Sequence, residues 1–314
     1  MAFGEQGIVV TVVFFLVLVL QSFSVLLIQF FKSLGCYEPE LSSALINGVL
    51  PVVALYIFHD DVSLVELGLL ILAVRLILIL YQLWVFLRLT VGQGWNVPGG
   101  LVCQLLSDVF YAIQGNFKYA IYSVLGAVFL SVDIVLMRFF LGPEDTAIYG
   151  TAMRVIVAAI LLFEVLIGVF IPRLARSSEL SPIQFRFDVR KFATIMMAGA
   201  GVMSLILLSL GPMAINFAFG TEFADAGQVV RFLTIVLVLR VATEVVGSIL
   251  TVSGLQAFRA KTIVIVLPIH ISLNVFLQPE FGIWGAVISL CFSFLFWLIF
   301  NTYFLFKNMP VVPV

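Results

Sequence analysis

Long apolar stretches separated by short polar ones dominate the chain, and they predict membrane helices. A helix needs about 20 mostly apolar residues to cross a hydrocarbon core about 30 Å thick. We therefore expect an all-α, polytopic integral membrane protein with about nine transmembrane helices. The predicted spans, of which the second and eighth are the shortest, are 8–31, 41–58, 64–89, 117–141, 148–172, 192–215, 229–253, 262–279 and 283–306.

The lysines and arginines predict the orientation of these spans. If the chain threads back and forth from residue 8, eleven of its 16 basic residues fall at one set of helix ends. Positive charge stays on the cytoplasmic side, so we expect Met1 outside and Val314 inside. The eleven residues are Lys32, Arg88, Lys118, Arg173, Arg176, Arg186, Arg190, Lys191, Arg259, Lys261 and Lys307.

Composition narrows the class of protein. The chain has 314 residues, 63% of them hydrophobic and 11% charged, which is outside the range of soluble globular proteins. The basic residues between 173 and 191 are interpreted as a cytoplasmic loop, so no nucleic-acid partner is expected. Three cysteines without metal-ligand spacing predict neither a disulfide framework nor a metal site, and no cofactor is expected.

An internal repeat predicts two lobes of unequal size. At an offset of 217 residues the first three spans align with the last three, and both sets begin by running inward, as in transporters with parallel repeats. We expect a partial N-terminal lobe of three helices at 1–89, a cytoplasmic linker with an interfacial helix at 90–116, and a complete six-helix lobe at 117–314. The aligned positions are Leu50-Pro51 with Leu267-Pro268, and Gly68 with Gly285.

Five segments of the second lobe resemble one family of exporters. Residues 133–144 read Asp-Ile-Val-Leu-Met-Arg-Phe-Phe-Leu-Gly-Pro-Glu, and 147–154 read Ala-Ile-Tyr-Gly-Thr-Ala-Met-Arg. Together with 170–176, 219–226 and 274–286, they are similar to the polysaccharide flippases. That family exports lipid-linked O-antigen and related repeat units, and it belongs to the multidrug/oligosaccharidyl-lipid/polysaccharide exporter superfamily.

The resemblance implies a two-lobed exporter bundle. Family members have at least twelve spans with both ends in the cytoplasm, so this chain would supply the fourth to the twelfth and lack the first three. Two departures stand out. The first two spans, which help to line the central cavity of the family, are absent, and the span at 117–141 lacks the proline that is frequent near its start.

Six charged residues lie within the predicted spans and are the candidate substrate-binding residues. A charge at the centre of a bilayer costs about 2.5–3.5 kcal/mol on insertion scales, so each should have a partner or face water. The arginines are suited to hold a pyrophosphate bidentately, and the carboxylates to bind sugars or carry a coupling proton. The six are Asp133, Arg154, Arg75, Arg240, Glu164 and Glu244.

The same residues also have structural interpretations. Asp133 with Arg154, on adjacent spans at similar depth, and Arg240 with Glu244, four residues apart on one helix, are the expected structural ion pairs. His270 is interpreted as an isolated, neutral, hydrogen-bonded histidine in preference to a proton relay.

The function favoured by the sequence is export of a lipid-linked oligosaccharide repeat unit by alternating access, for cell-surface polysaccharide synthesis. The alternatives are a multidrug-extrusion cation antiporter and an inactive, truncated remnant of the flippase. An enzyme is disfavoured, because the outside loops at 59–63, 142–147, 216–228 and 280–282 are short. The expected location is a bacterial or archaeal cytoplasmic membrane, with membrane lipids and other membrane proteins of polysaccharide assembly as partners.

Overall fold

The structure of the chain, a computed structural model, describes residues 5–33, 38–57, 63–92 and 125–308. In these ranges the chain is built from long α-helices joined by short turns. The predicted linker at 90–116 and the termini Met1 and Val314 lie wholly or largely outside the described residues. The helices are α1 (Glu5–Ser33), α2 (Glu38–Ile57), α3 (Leu64–Gly92), α4 (125–140), α5 (Pro143–Leu180), α6 (Pro182–Phe219), α7 (Ala224–Val252), α8 (Gln256–Phe281) and α9 (Ile283–Asn308).

The helices confirm an all-α polytopic membrane protein. Within the described ranges six helical segments are long and apolar enough to cross a membrane, and α1 carries a shorter apolar stretch, Val9–Val25. The α2 helix coincides with the predicted short span at 41–58, but its first half contains Glu38, Glu40 and Asn47. The six segments are Val65–Arg88, Pro143–Leu180, Pro182–Phe219, Thr221–Val252, Gln256–Phe281 and Ile283–Asn308.

The chain divides into two compact units, Met1–Leu105 and Leu106–Val314. In the first unit α3 packs against both α1 and α2. Gly68 permits the close approach of α3 to α1, since a Cβ on it would lie 3.0 Å from Val13 Cγ1. A capping box begins α3: the Ser63 backbone N–H donates to Glu66 Oε2 at 2.8 Å, and the Glu66 N–H donates back to Ser63 Oγ at 3.3 Å.

In the second unit α7 is the central helix, packed against α5, α6 and α9, while α8 pairs with α9. Its buried apolar residues include Val230, Leu233 and Leu237, each 0% exposed. The crossing of α6 and α7 is tight, because a Cβ on Gly227 would lie 2.9 Å from Pro212 Cα. The buried face of α7 therefore forms much of the core of this unit.

The segment at 173–191, which was expected to be a loop, is helical, and its location on the cytoplasmic side stays a prediction. This segment continues α5 and α6, which are interrupted only at Ser181. Each helix has 38 residues, about 57 Å at 1.5 Å per residue and longer than a bilayer core. Arg173 Nη2 on α5 lies 2.7 Å from Asp188 Oδ1 on α6, and this ion pair joins the two helices beyond their apolar stretches.

Two of the turns depend on glycine. Gly142, between α4 and α5, has φ 95°, and Gly282, between α8 and α9, has φ 59°. Residues with a Cβ rarely adopt these values. Both glycines belong to the segments that resemble the flippase family, so part of that resemblance has a structural cause.

Candidate functional site

A buried polar cluster in the second unit forms around Asp133 of α4. Phe129, Asp133 and Met137 recur every four residues and are at most 1% exposed, so Asp133 lies on the face that α4 buries. Its Oδ2 accepts the hydroxyl of Tyr149, from α5, at 3.0 Å. Its Oδ1 accepts Nδ2 of Asn274, from α8, at 3.0 Å. A carboxylate removed from water is thus surrounded by hydrogen-bond donors.

His270 is the nearest partner of that carboxylate. Its Nε2 lies 2.6 Å from Asp133 Oδ1, and its Nδ1 lies 2.9 Å from Ser293 Oγ on α9. The prediction that His270 stands alone is therefore wrong. The spacing explains the contact, because His270, Asn274 and Gln278 recur every four residues on α8 and all are 0% exposed.

The cluster is held in place by its own amides and by aromatic rings. Gln278 Nε2 donates to Asn274 Oδ1 at 2.7 Å and to the Asp133 backbone oxygen at 3.2 Å. The Phe129 ring lies 4.3 Å from the His270 ring, centroid to centroid, and meets Phe294 and Trp297 edge to face. The aromatic rings shield the Asp133–His270 pair from solvent on this side.

Arg154 does not pair with Asp133. It follows Tyr149 by five residues, about 140° around α5 at 3.6 residues per turn. Tyr149 therefore points into the core while the Arg154 side chain is exposed. Within the described part of the chain Arg154 has no carboxylate within ion-pair distance. The expected Asp133–Arg154 pair is replaced by Asp133–His270.

The expected pair of Arg240 with Glu244 is also wrong. Arg240 Nη2 contacts Glu164 Oε1 on α5 at 3.4 Å, whereas Glu244 Oε2 accepts Arg259 Nη2 from α8 at 2.7 Å. Arg259 Nη1 also donates to Thr251 Oγ1 at 3.2 Å. Adjacent helices therefore supply the partners, and α7 is tied to α5 on one side and to α8 on the other.

Arg75 belongs to the first unit and is bound by neutral groups. Its Nη1 donates to Asn47 Oδ1 of α2 at 2.7 Å, and its Nη2 to Gln21 Oε1 of α1 at 3.2 Å. Two turns along α3, the buried Gln82 donates to Ser24 Oγ and Ser43 Oγ at 2.8 and 3.0 Å. In the part of the chain that the structure describes, Arg75 forms no ion pair.

The candidate residues predicted from the sequence include Asp133 but not Tyr149, Asn274 and Gln278, which donate hydrogen bonds to it, nor Ser293, which bonds to His270. The sequence does contain a signal for this cluster: His270, Asn274 and Gln278 are polar residues at four-residue spacing in a mostly apolar helix, and such a pattern indicates a buried polar face. Among the described residues no group of three or more histidines, cysteines and carboxylates forms a metal site.

Comparison with known proteins identifies one informative similarity. The chain is 26% identical over 179 residues to the probable low-salt glycan biosynthesis flippase Agl15 of Haloferax volcanii. The match covers 56% of this chain and 38% of the relative, so it spans well under two thirds of the relative's length. No family model and no solved structure matches the chain. The similarity supports a flippase-like membrane protein; membership of the wider superfamily and the lack of three spans stay predictions.

Proposed function

We propose that this protein moves a lipid-linked glycan from the inner to the outer leaflet of a cytoplasmic membrane. The observation that carries the proposal is the similarity to a glycan biosynthesis flippase, in a chain that crosses the membrane several times. The transported molecule would be an oligosaccharide on a polyprenyl diphosphate, transferred by alternating access for cell-surface polysaccharide synthesis. The protein would then bind the lipid-linked glycan and change conformation, without making or breaking covalent bonds.

Two intramembrane arginines support recognition of a diphosphate. Arg75 is held only by amide oxygens and Arg154 is exposed without an ion pair, within the described residues. A permanent positive charge in a membrane span is stabilised by an anion, by water or by carbonyl oxygens, and the neutral amide oxygens that bind Arg75 leave its charge uncompensated. A phosphate group meets this need bidentately, because the planar guanidinium matches two of its oxygens. Arg75 and Arg154 are therefore each proposed, independently of the other, as a phosphate contact.

The other four candidate residues are assigned different roles. Arg240 with Glu164, and Glu244 with Arg259, are already neutralised by ion pairs that tie α7 to its neighbours. The half-exposed Glu164 side chain, 53% accessible, also suits a hydrogen bond to sugar hydroxyls. Asp133, 1% exposed, acts as a positioning residue that holds α4 against α5 and α8.

Binding of defined lipids tests the phosphate contacts. The purified protein in lipid nanodiscs is titrated with a polyprenyl diphosphate, a polyprenyl monophosphate and a polyprenol. We expect the diphosphate to bind most tightly and Arg154→Ala and Arg75→Ala each to weaken it about ten- to a hundredfold, since a hydrogen bond to a charged group contributes about 1.5–3 kcal/mol. Arg154→Lys should restore part of the loss, because an ammonium lacks the guanidinium fork.

The matched control is Arg176→Ala, an exposed arginine beyond the apolar stretch of α5, which should leave the affinity unchanged. Equal binding of all three lipids would refute diphosphate recognition. Transport of apolar cations in proteoliposomes, without binding of the diphosphate, would favour the multidrug antiporter instead.

A further inference from the structure

Two lysines lie at the open end of the α8–α9 hairpin, opposite the Gly282 turn. Lys261 is in the second turn of α8, and Lys307 is in the last turn of α9. Both side chains are exposed, and within the described residues neither forms an ion pair. Arg259, which lies at the same end of the hairpin, is instead neutralised by Glu244 of α7. The protein therefore presents two positive charges here without a carboxylate to balance them.

Aromatic rings connect the two lysines. Lys261 Nζ lies 5.4 Å from the centre of the Phe258 ring, and Lys307 Nζ lies 5.7 Å from the centre of the Tyr303 ring. The Phe304 ring contacts both, at centroid distances of 5.1 Å to Phe258 and 5.5 Å to Tyr303. A cation within about 6 Å of a ring centre is attracted by the electrons of the ring. The two lysines are thus held at one aromatic surface that both helices form.

Each lysine also lies at the end of an exposed apolar strip. On α9 four side chains, between 39% and 54% exposed, recur every three or four residues and lead to Lys307. On α8 the side chains of Val264 and Ile265 are exposed one turn from Lys261. The strip on α9 is about 16 Å long at 1.5 Å per residue, which is close to half the thickness of a bilayer core. Its members are Phe292, Phe296, Ile299 and Tyr303.

This combination matches the chemistry of a phospholipid with a net negative charge. The lysines complement a phosphate at the membrane surface, and the strip on α9 offers an apolar chain a contact through one leaflet. A small soluble anion would use only the lysines, and an uncharged lipid only the strip. Both features lie on one hairpin, so a single molecule can contact both of them.

We propose that the open end of the α8–α9 hairpin binds an anionic phospholipid of the surrounding membrane. Its phosphate lies at Lys261 and Lys307, and one of its apolar chains lies along the strip on α9. The proposal concerns a lipid of the bilayer and is independent of glycan transport.

Native mass spectrometry of the purified full chain in detergent tests this site. The probes are phosphatidylglycerol, phosphatidylcholine with the same chains, and inorganic phosphate. We expect phosphatidylglycerol to bind more tightly than phosphatidylcholine. Lys261→Ala and Lys307→Ala should each weaken phosphatidylglycerol binding about fivefold, the factor that corresponds to about 1 kcal/mol for a lysine near an anionic lipid surface. Equal affinities for the two lipids, or displacement of the bound lipid by inorganic phosphate, would overturn the proposal.

Two kinds of variant separate a site from general attraction of positive charge. Lys191→Ala is the matched control, because Lys191 on α6 is also exposed but contacts no aromatic ring within the described residues. It should leave the preference for phosphatidylglycerol unchanged, and an equal loss in this control would refute the site. Lys261→Arg and Lys307→Arg should keep most of the affinity, since charge and ring contact both persist. Thermal unfolding checks that every variant is folded.

A third comparison tests the position of the apolar chain. Ile299→Ser places a hydroxyl in the middle of the strip and should weaken binding of long-chain phosphatidylglycerol more than binding of a short-chain form. Phe276→Ser is the control, because Phe276 is also an exposed apolar residue, 73% accessible, but lies towards the Gly282 end of α8. It should affect neither lipid. The same loss in both variants, or no loss in Ile299→Ser, would refute the placement of the chain.

Discussion

Arg259 of α8 is held between two features of α7: Glu244, which accepts its Nη2 at 2.7 Å, and Gly247, which leaves the space for it. A Cβ at Gly247 would lie 2.9 Å from Arg259 Nε. The position of the Arg259 guanidinium therefore depends on the missing side chain at Gly247 as well as on its ion pair with Glu244.

The first prediction concerns this relationship. A double-mutant cycle of Glu244→Ala and Arg259→Ala, read by thermal unfolding in detergent, should give a coupling free energy of about 1 kcal/mol, as for other partly exposed pairs. The same cycle in a Gly247→Ala background should give a smaller coupling, because the new methyl group displaces the guanidinium. An unchanged coupling would mean that the glycine is not needed for the pair.

The second prediction concerns the crossing of α6 and α7. Gly227→Ala should destabilise the protein by about 1–3 kcal/mol, because its Cβ would lie 2.9 Å from the Pro212 backbone and the helices would have to separate. Gly201→Ala on α6 is the control, since nothing lies within 4 Å of its Cβ position. It should leave stability unchanged or raise it by up to about 1 kcal/mol through helix propensity. Thermal unfolding of both variants measures the contrast.

The third prediction uses the unequal burial of Arg173 and Asp188. The Asp188 side chain is 3% exposed and the Arg173 side chain 48%. Arg173→Ala leaves a buried carboxylate without its charged partner, whereas Asp188→Ala leaves an arginine that water can solvate. The first change should therefore cost more stability than the second, by about 1–3 kcal/mol. The double variant should be more stable than Arg173→Ala; an additive loss would contradict the explanation.

The fourth prediction tests the orientation of the helices. In a variant without native cysteines, a cysteine in place of the exposed Glu144 should react with an impermeant thiol reagent added to intact cells. A cysteine in place of the exposed Ser178 should react only after the membrane is permeabilised. The two sites lie at opposite ends of α5, so the reverse pattern would invert the proposed topology.

The helices could be predicted from the sequence because apolar length is a local property. The predicted span at 229–253 corresponds to α7, Ala224–Val252, with a difference of a few residues. The ends of the helices could not be predicted in this way. The apolar stretches end near 172 and restart at 192, but α5 and α6 continue through the charged residues between them. A helix does not have to end where its apolar stretch ends, and here the Arg173–Asp188 ion pair joins the two helices beyond that point.

The sequence by itself determined that this chain crosses a membrane as helices and that a few charges are buried with them, because hydrophobicity and charge are properties of each segment. Which groups meet was decided by the tertiary structure alone. Arg240 and Glu244 are neighbours on α7, yet each forms an ion pair with a different helix. Asp133 contacts His270, which lies 137 positions further along the chain. The physical reason is rotation: a side chain's direction on its helix follows from which face the neighbouring helices bury, and that face is set only when they pack.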